Sequence, residues 1–255
     1  MVDLLIELKE KYGLAGIKTE FEAEGARMEE LSRLKEVTLR AGLGITLKIG
    51  GCEAATGMKM SRIIGVERIV APMIESAFAL KKFVRCAKNV FPEDELDDIK
   101  LAINIETITG YNNFDDMLSS PDFESLGSVV IGRGDLSGSM GHGYEFMDSG
   151  EILEMSNSLF SRVKQKSAGY ECILGGVPGP QSFPFLESLK QGIVDEYESR
   201  KLIFRSTGVY GEKEREGFLK GLQFELMWSK NKREYYSRIS MEDDRMIDSL
   251  QKLLS

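Results

Sequence analysis

Seven short β-rich runs separated by amphipathic stretches constrain this chain more than any other feature. They fall at residues 16–22, 44–50, 68–73, 101–107, 128–135, 171–175 and 201–206. The stretch 26–41 between the first two places Met28, Leu31, Leu34, Val37 and Leu39 on or near one helical stripe. Strands alternating with helices imply βαβ units and a parallel sheet. A spacing of roughly 25–35 residues per unit suits a barrel, and 255 residues is the size of one. The expected fold is therefore α/β: a single (β/α)8 TIM-type barrel over residues 1–255, with a helical C-terminal extension at about 208–255. A doubly wound open sheet would give the same local signals. Seven runs are one short of closure, and residues 1–13 read as an amphipathic helix. The expected irregularity is an atypical or missing first strand.

The net charge of −8, with no basic stripe, argues against a nucleic-acid partner. No apolar run approaches the roughly 18 residues of a membrane span. The N-terminal residues lack the basic and apolar regions of a signal peptide. Cys52, Cys86 and Cys172 show no pairing or metal-site spacing, which fits a reducing, cytoplasmic setting.

In parallel barrels the functional side chains sit at the C-terminal strand ends. Those ends carry Glu20, Glu22, Lys48, Glu75, Glu106 and Asp135. Alternation places Ala102, Asn104 and Glu106 on one face of their strand, so Glu106 projects into the barrel mouth. Lys18, Glu20 and Glu22 share a face, as do Thr46 and Lys48. The segment 128–141 runs an apolar strand into Gly132-Arg133-Gly134-Asp135, where backbone amides can approach an anion without a Cβ in the way. Glu106 and Asp135 together suit Mg2+ or Mn2+, which would polarise an adjacent ketone or thioester carbonyl. Zinc is not expected, because His142 is the only histidine. The plainer readings are a salt-bridge role for Glu106, a simple turn at 132–134, and Lys48 neutralising Glu20 or Glu22. His142 reads as a bystander in a glycine-rich loop.

At residues 102–107 (Ala-Ile-Asn-Ile-Glu-Thr) and 129–141 (Val-Val-Ile-Gly-Arg-Gly-Asp-Leu-Ser-Gly-Ser-Met-Gly) the chain resembles the HpcH/HpaI aldolase and citrate lyase β-subunit superfamily. The stretch 69–76 looks like another strand of that family, and the resemblance covers most of residues 15–207. It implies a pyruvate- or phosphoenolpyruvate-binding barrel with Glu106 and Asp135 as metal-binding acids. It implies that the backbone of Gly132, Arg133 and Gly134 cradles the substrate carboxylate and places Glu20 at the acid ending an early strand. Lys48 falls where the family has an arginine, and loses its bidentate fork. Phe21 stands where the aldolase branch has an acid/base histidine. Relatives often form trimers or hexamers.

The expected activity is a metal-dependent carbon–carbon lyase or aldolase, citrate lyase-like, acting on an oxo-acid or acyl-CoA through an enolate. Lys48 and Glu20 are the expected catalytic residues, and Lys48, Gly132, Arg133, Gly134 and Glu75 the expected substrate-binding ones. Residues 137–150 are a candidate lid, and 223–240, with Phe224, Leu226, Trp228, Tyr235 and Tyr236, a candidate oligomer interface. Two other readings stand beside this one: a Schiff-base aldolase using Lys48, and a non-catalytic oxo-acid-binding barrel that has lost its base.

Overall fold

The computed structural model describes residues 1–254. Eight strands form a closed barrel in chain order: β1 (Leu14–Glu20), β2 (Gly44–Lys48), β3 (Arg68–Ala71), β4 (Lys100–Ile105), β5 (Ser128–Gly132), β6 (Glu171–Gly175), β7 (Glu196–Glu198) and β8 (Leu202–Arg205). Helices α1 (Val2–Tyr12), α2 (Met28–Arg40), α3 (Ala55–Ile64), α4 (Ala77–Val90) and α5 (Glu93–Leu96) accompany the first half. The rest are α6 (Ile108–Asn112), α7 (Phe114–Ser119), α8 (Arg133–Ser139), α9 (Gly150–Lys166), α10 (Phe183–Ser188) and α11 (Glu212–Leu254).

Closure differs from the expected plan in two respects. The first strand is intact, and the run that sequence periodicity misses is β7, which at three residues is too short to show an alternation. The run at 201–206 is not another parallel strand. It is β8, antiparallel to both β7 and β1, reached through a tight reversal in which the Ser199 N–H donates to the Leu202 carbonyl. Seven strands are thus parallel, and one runs backward to close the sheet.

The strands obey the expected parity. Ile17, Ile45, Leu47, Ile69, Leu101, Ile103, Ile105, Val129 and Ile131 join the large core shared with the helices, where Leu31, Leu80, Phe83 and Leu159 meet them. Burying each such side chain contributes about 1.5–3 kcal/mol. The alternate positions fill the barrel interior. Val70, Ala102, Val130 and Ile173 form a separate apolar plug there. Charged groups lie toward the two open ends. At the N-terminal end Arg68 bridges Glu196 (2.8 Å) and Glu171 (2.6 Å) beside a cavity of about 750 Å3. At the C-terminal end lies the mouth, a cavity of about 520 Å3.

Because β8 runs backward, α11 starts at the N-terminal end and climbs toward the mouth, which Leu222 and Glu225 help to line. Glycine allows the close packing this requires. A Cβ at Gly221 would lie 2.5 Å from Leu202 Cδ1, and one at Gly217 would lie 2.6 Å from Tyr12 Cβ. Phe218, Phe224 and Trp228 of α11 are buried against the chain's own core, Arg33 lies over the Tyr235 ring, and Tyr236 donates to Glu30 at the start of α2. Of the residues expected to form an oligomer interface, these therefore serve packing within the chain. No helix among the described residues is long and apolar enough to cross a membrane.

Candidate functional site

The mouth is organised around Glu106, the first residue beyond β4. Parity turns it inward above Asn104, and it is only 1% exposed. Its Oε2 accepts from Lys48 Nζ at the end of β2 (2.9 Å) and from the Asn104 side-chain amide. Its Oε1 accepts from the Met73 backbone N–H (3.0 Å). Met73 is, among the described residues, the one non-glycine residue with positive φ, 49°. Such a backbone persists where surrounding structure holds it, and here it aims a donor at a buried carboxylate. Gly132 faces the same group: a Cβ there would lie 2.8 Å from Glu106 Cβ and 2.9 Å from its Oε2. That glycine is needed for clearance more than for backbone freedom.

Burial pushes the Glu106 carboxyl above its ordinary range. The Lys48 charge pulls it back only in part, and Asp135 pushes it further up. A buried carboxylate with a second acid nearby is under-compensated, and more positive charge at this point would stabilise both. Asp135 is exposed, lies in the first turn of α8 and lines the mouth. The Asn104 Oδ1 atom is buried without a partner, one more oxygen donor at the same place. These are hard oxygen ligands of the kind Mg2+ or Mn2+ takes. Among the described residues no group of three or more His, Cys, Asp or Glu gathers as a metal cage. The residues therefore fit an ion that would also draw ligands from substrate and water.

A second charged cluster, of which the sequence singled out Glu20 but not Glu198, also lines the mouth. Lys18 Nζ donates to Glu198 (2.5 Å) and lies 3.3 Å from Glu20. Burial alone would drive Lys18 to lose its proton, but Glu198 and Glu20 outweigh it and raise its pKa. Lys18 stays an ammonium. Parity already placed Lys18 beside Glu20; Glu198 was hidden because it ends the three-residue β7. Arg200, in the reversal between β7 and β8, also lines the mouth and is exposed. Of the four cationic residues there, Lys18, Lys48 and Arg133 are paired within the chain, and Arg200 has no ion pair or hydrogen bond among the described residues.

Two expected site residues, Arg133 and Glu75, have side chains committed elsewhere. The Arg133 side chain, at the edge of the cavity, is fully buried and its polar atoms are taken up within the chain. Its guanidinium donates to the carbonyls of Gly175 (3.1 Å), Gly176 (2.6 Å) and Met147 (3.2 Å), pairs with Asp148, and lies over the Phe185 ring. Its side chain is thus a structural clamp. What remains for an anion are the N–H groups of the first turn of α8, which have no partners inside the helix. Glu75 lies outside the mouth lining and accepts from Thr107 Oγ1 (2.6 Å), which fixes the start of α6. Phe21 packs over Gly57 of α3, on the helix side of the sheet, so its ring does not reach the position a catalytic base would occupy. Lys48 pairs with Glu106 and not with Glu20 or Glu22.

Both ends of the stretch 137–150, the candidate lid, are held in place. Ser137 lies within α8, and the Arg133 clamp fixes Met147 and Asp148 to the barrel. The part between carries Tyr144, whose ring lies across Gly134, and His142, stacked on Phe146 at 3.8 Å.

No protein-family model and no curated protein matches the sequence. Solved structures do match. An HpcH/HpaI aldolase from Desulfitobacterium hafniense DCB-2 is 18% identical over 69% of this chain and 73% of its own, with a TM-score of 0.57. The citrate synthase SbnG is 17% identical over 91% of this chain and 90% of its own, at 0.61. An HpcH/HpaI aldolase/citrate lyase family protein from Burkholderia cenocepacia J2315 is 12% identical over 72% and 88%, at 0.56. The barrel of this chain is thus similar in fold to HpcH/HpaI aldolase and citrate lyase family proteins.

Proposed function

We propose that the protein is a carbon–carbon lyase of aldolase type, acting on an oxo-acid at the barrel mouth. The observation that carries this reading is Glu106, a buried and under-compensated carboxylate beside Lys48, with Asp135 and the first turn of α8 opening onto the same cavity. Glu106 and Asp135 would hold a divalent ion, Mg2+ or Mn2+. When bound, that ion would act as a Lewis acid toward the substrate carbonyl.

The remaining work falls to the chain's own groups. The α8 first-turn amides and Lys48 orient the substrate carboxylate and carbonyl, which sets the bond to be cut across the cavity. Glu20 is the proton-moving group. It takes the proton from the hydroxyl on the carbon beyond the scissile bond; that bond breaks as the new carbonyl forms, and its electron pair moves toward the substrate's own carbonyl oxygen. The proton then returns to the carbon left behind. Lys18, itself anchored by Glu198, holds Glu20 in place. Arg200 is the available cation for an anionic group at the far end of a longer substrate.

Calorimetric titration with Mn2+, followed by release of pyruvate from a 4-hydroxy-2-oxo acid, tests the assignment. Glu106→Gln and Asp135→Asn should each weaken Mn2+ binding at least tenfold and abolish turnover while the circular dichroism spectrum stays unchanged. Full activity in Glu106→Gln would end this reading. Phe21 favours a second one, a barrel that binds oxo-acids without converting them; oxalate binding with no turnover of any oxo-acid would establish it.

A further inference from the structure

A TIM-type barrel is normally packed through its interior, and its chemistry sits at the C-terminal end. The N-terminal end of this one is hollow. Alternation turns Gly16 and Gly44 inward there, and the two lie side by side in the β1–β2 register. Neighbouring strands thus both lack a side chain where packing would be expected. The cavity of about 750 Å3 opens over them, within the roughly 300–1,000 Å3 of small-molecule sites. On their strands Val70, Ala102, Val130 and Ile173 lie between this cavity and the mouth.

The charges around the cavity fall into two groups. Arg68, Lys100, Glu171 and Glu196 neutralise one another in one network, and Lys164 neutralises Asp195. Glu67, Asp98 and Arg205 line the same cavity, and their side chains have no ion pair or hydrogen bond among the described residues. The Glu67 carboxylate lies over Gly44, where a Cβ would overlap it. Arg205 pairs in register with Glu196, whose carboxylate is already taken by Arg68. A further observation is independent of charge. Thr46, inward-facing and only 6% exposed, lines the cavity with a hydroxyl that has no hydrogen bond among the described residues. A buried hydroxyl without a partner costs free energy that a ligand would recover.

We propose that this cavity binds a small zwitterion of the α-amino acid class. Unpaired acids and an unpaired base around one opening match a ligand that carries both charges. An anion alone would meet Glu67 and Asp98, and a cation alone would leave Arg205 unanswered. The ammonium falls to Glu67 and Asp98, the carboxylate to Arg205, and the Thr46 hydroxyl bonds the part that lies deepest. Along the sheet β8 and β2 are two strand spacings apart, about 10 Å, a gap that the arginine side chain and the ligand span together.

The test uses the full chain and needs no turnover. Each common L-α-amino acid is titrated calorimetrically, beside the amine and the carboxylic acid that each lack one of its two charges. At least one amino acid should bind, and its two analogues should bind at least tenfold more weakly. Glu67→Gln and Arg205→Gln should each weaken binding at least tenfold with an unchanged thermal midpoint, because neither side chain is paired in the fold. Saturating oxalate, the probe for the mouth, should leave the affinity unchanged. Failure of every amino acid to bind overturns the proposal, as does equal binding of the amine or the acid alone. Binding that survives both substitutions, or that oxalate displaces, also overturns it.

Discussion

Glu106 shows how one residue's surroundings decide its use. It is held by an ammonium, an amide and a strained backbone N–H, and it stays charged only at a cost that burial sets. Gly132→Ala should therefore displace Glu106 and cut turnover at least tenfold with a loss of stability of only about 1 kcal/mol, measured by urea titration beside steady-state kinetics. Arg133 is the reverse case. Arg133→Ala leaves Asp148 without its cation and empties a buried slot, so it should destabilise the fold by about 3–5 kcal/mol. Removal of a buried ion-pair partner is felt mainly in the fold, so the thermal midpoint should fall far more than ligand affinity does. The sequence motif made Glu106 and Asp135 legible, because strand parity and position both point to the mouth. It left the place of the Arg133 side chain open, since a Gly-Arg-Gly turn looks the same whether the arginine faces ligand or core.

Among the elements, β7 is where the sequence is silent. Three residues cannot display a period of two, and nothing in the sequence marks Glu196 and Glu198 as the partners of Arg68 and Lys18. The direction of β8 was hidden for a related reason: local hydropathy does not encode polarity, and only the three-residue reversal before it does. The barrel's N-terminal end carries a pH signature. Burial acts to raise the Glu171 pKa, but Lys100 and Arg68 outweigh it and hold the carboxyl below its usual range. A lowered folded-state pKa adds stability above the unfolded value, and that stability disappears as pH falls through the folded one. Glu171→Gln should thus be less stable than wild type near pH 7, by about 1 kcal/mol. The two curves should converge below about pH 4 in chemical denaturation. The packing of α11 makes its own demand: Gly221→Val, placed 2.5 Å from Leu202, should cost about 1–3 kcal/mol.

For the whole molecule, the barrel was legible from the repeat of strand and helix, and seven of its eight strands lie where the repeat places them. Closure was not, because it depends on one strand turned against the rest. The reversed strand also shapes the way in. Between β7 and β8 the rim is a three-residue turn where other strand pairs carry longer connections, a short sill beside α11 on which Arg200 stands. On a chain of net charge −8, a guanidinium that has no ion pair among the described residues and stands on this sill would draw anions against an otherwise repelling field. An anionic substrate should enter over the sill. Its kcat/KM should fall as ionic strength rises, and stopped-flow measurements on Arg200→Gln should show that salt dependence flattened and the low-salt rate reduced severalfold.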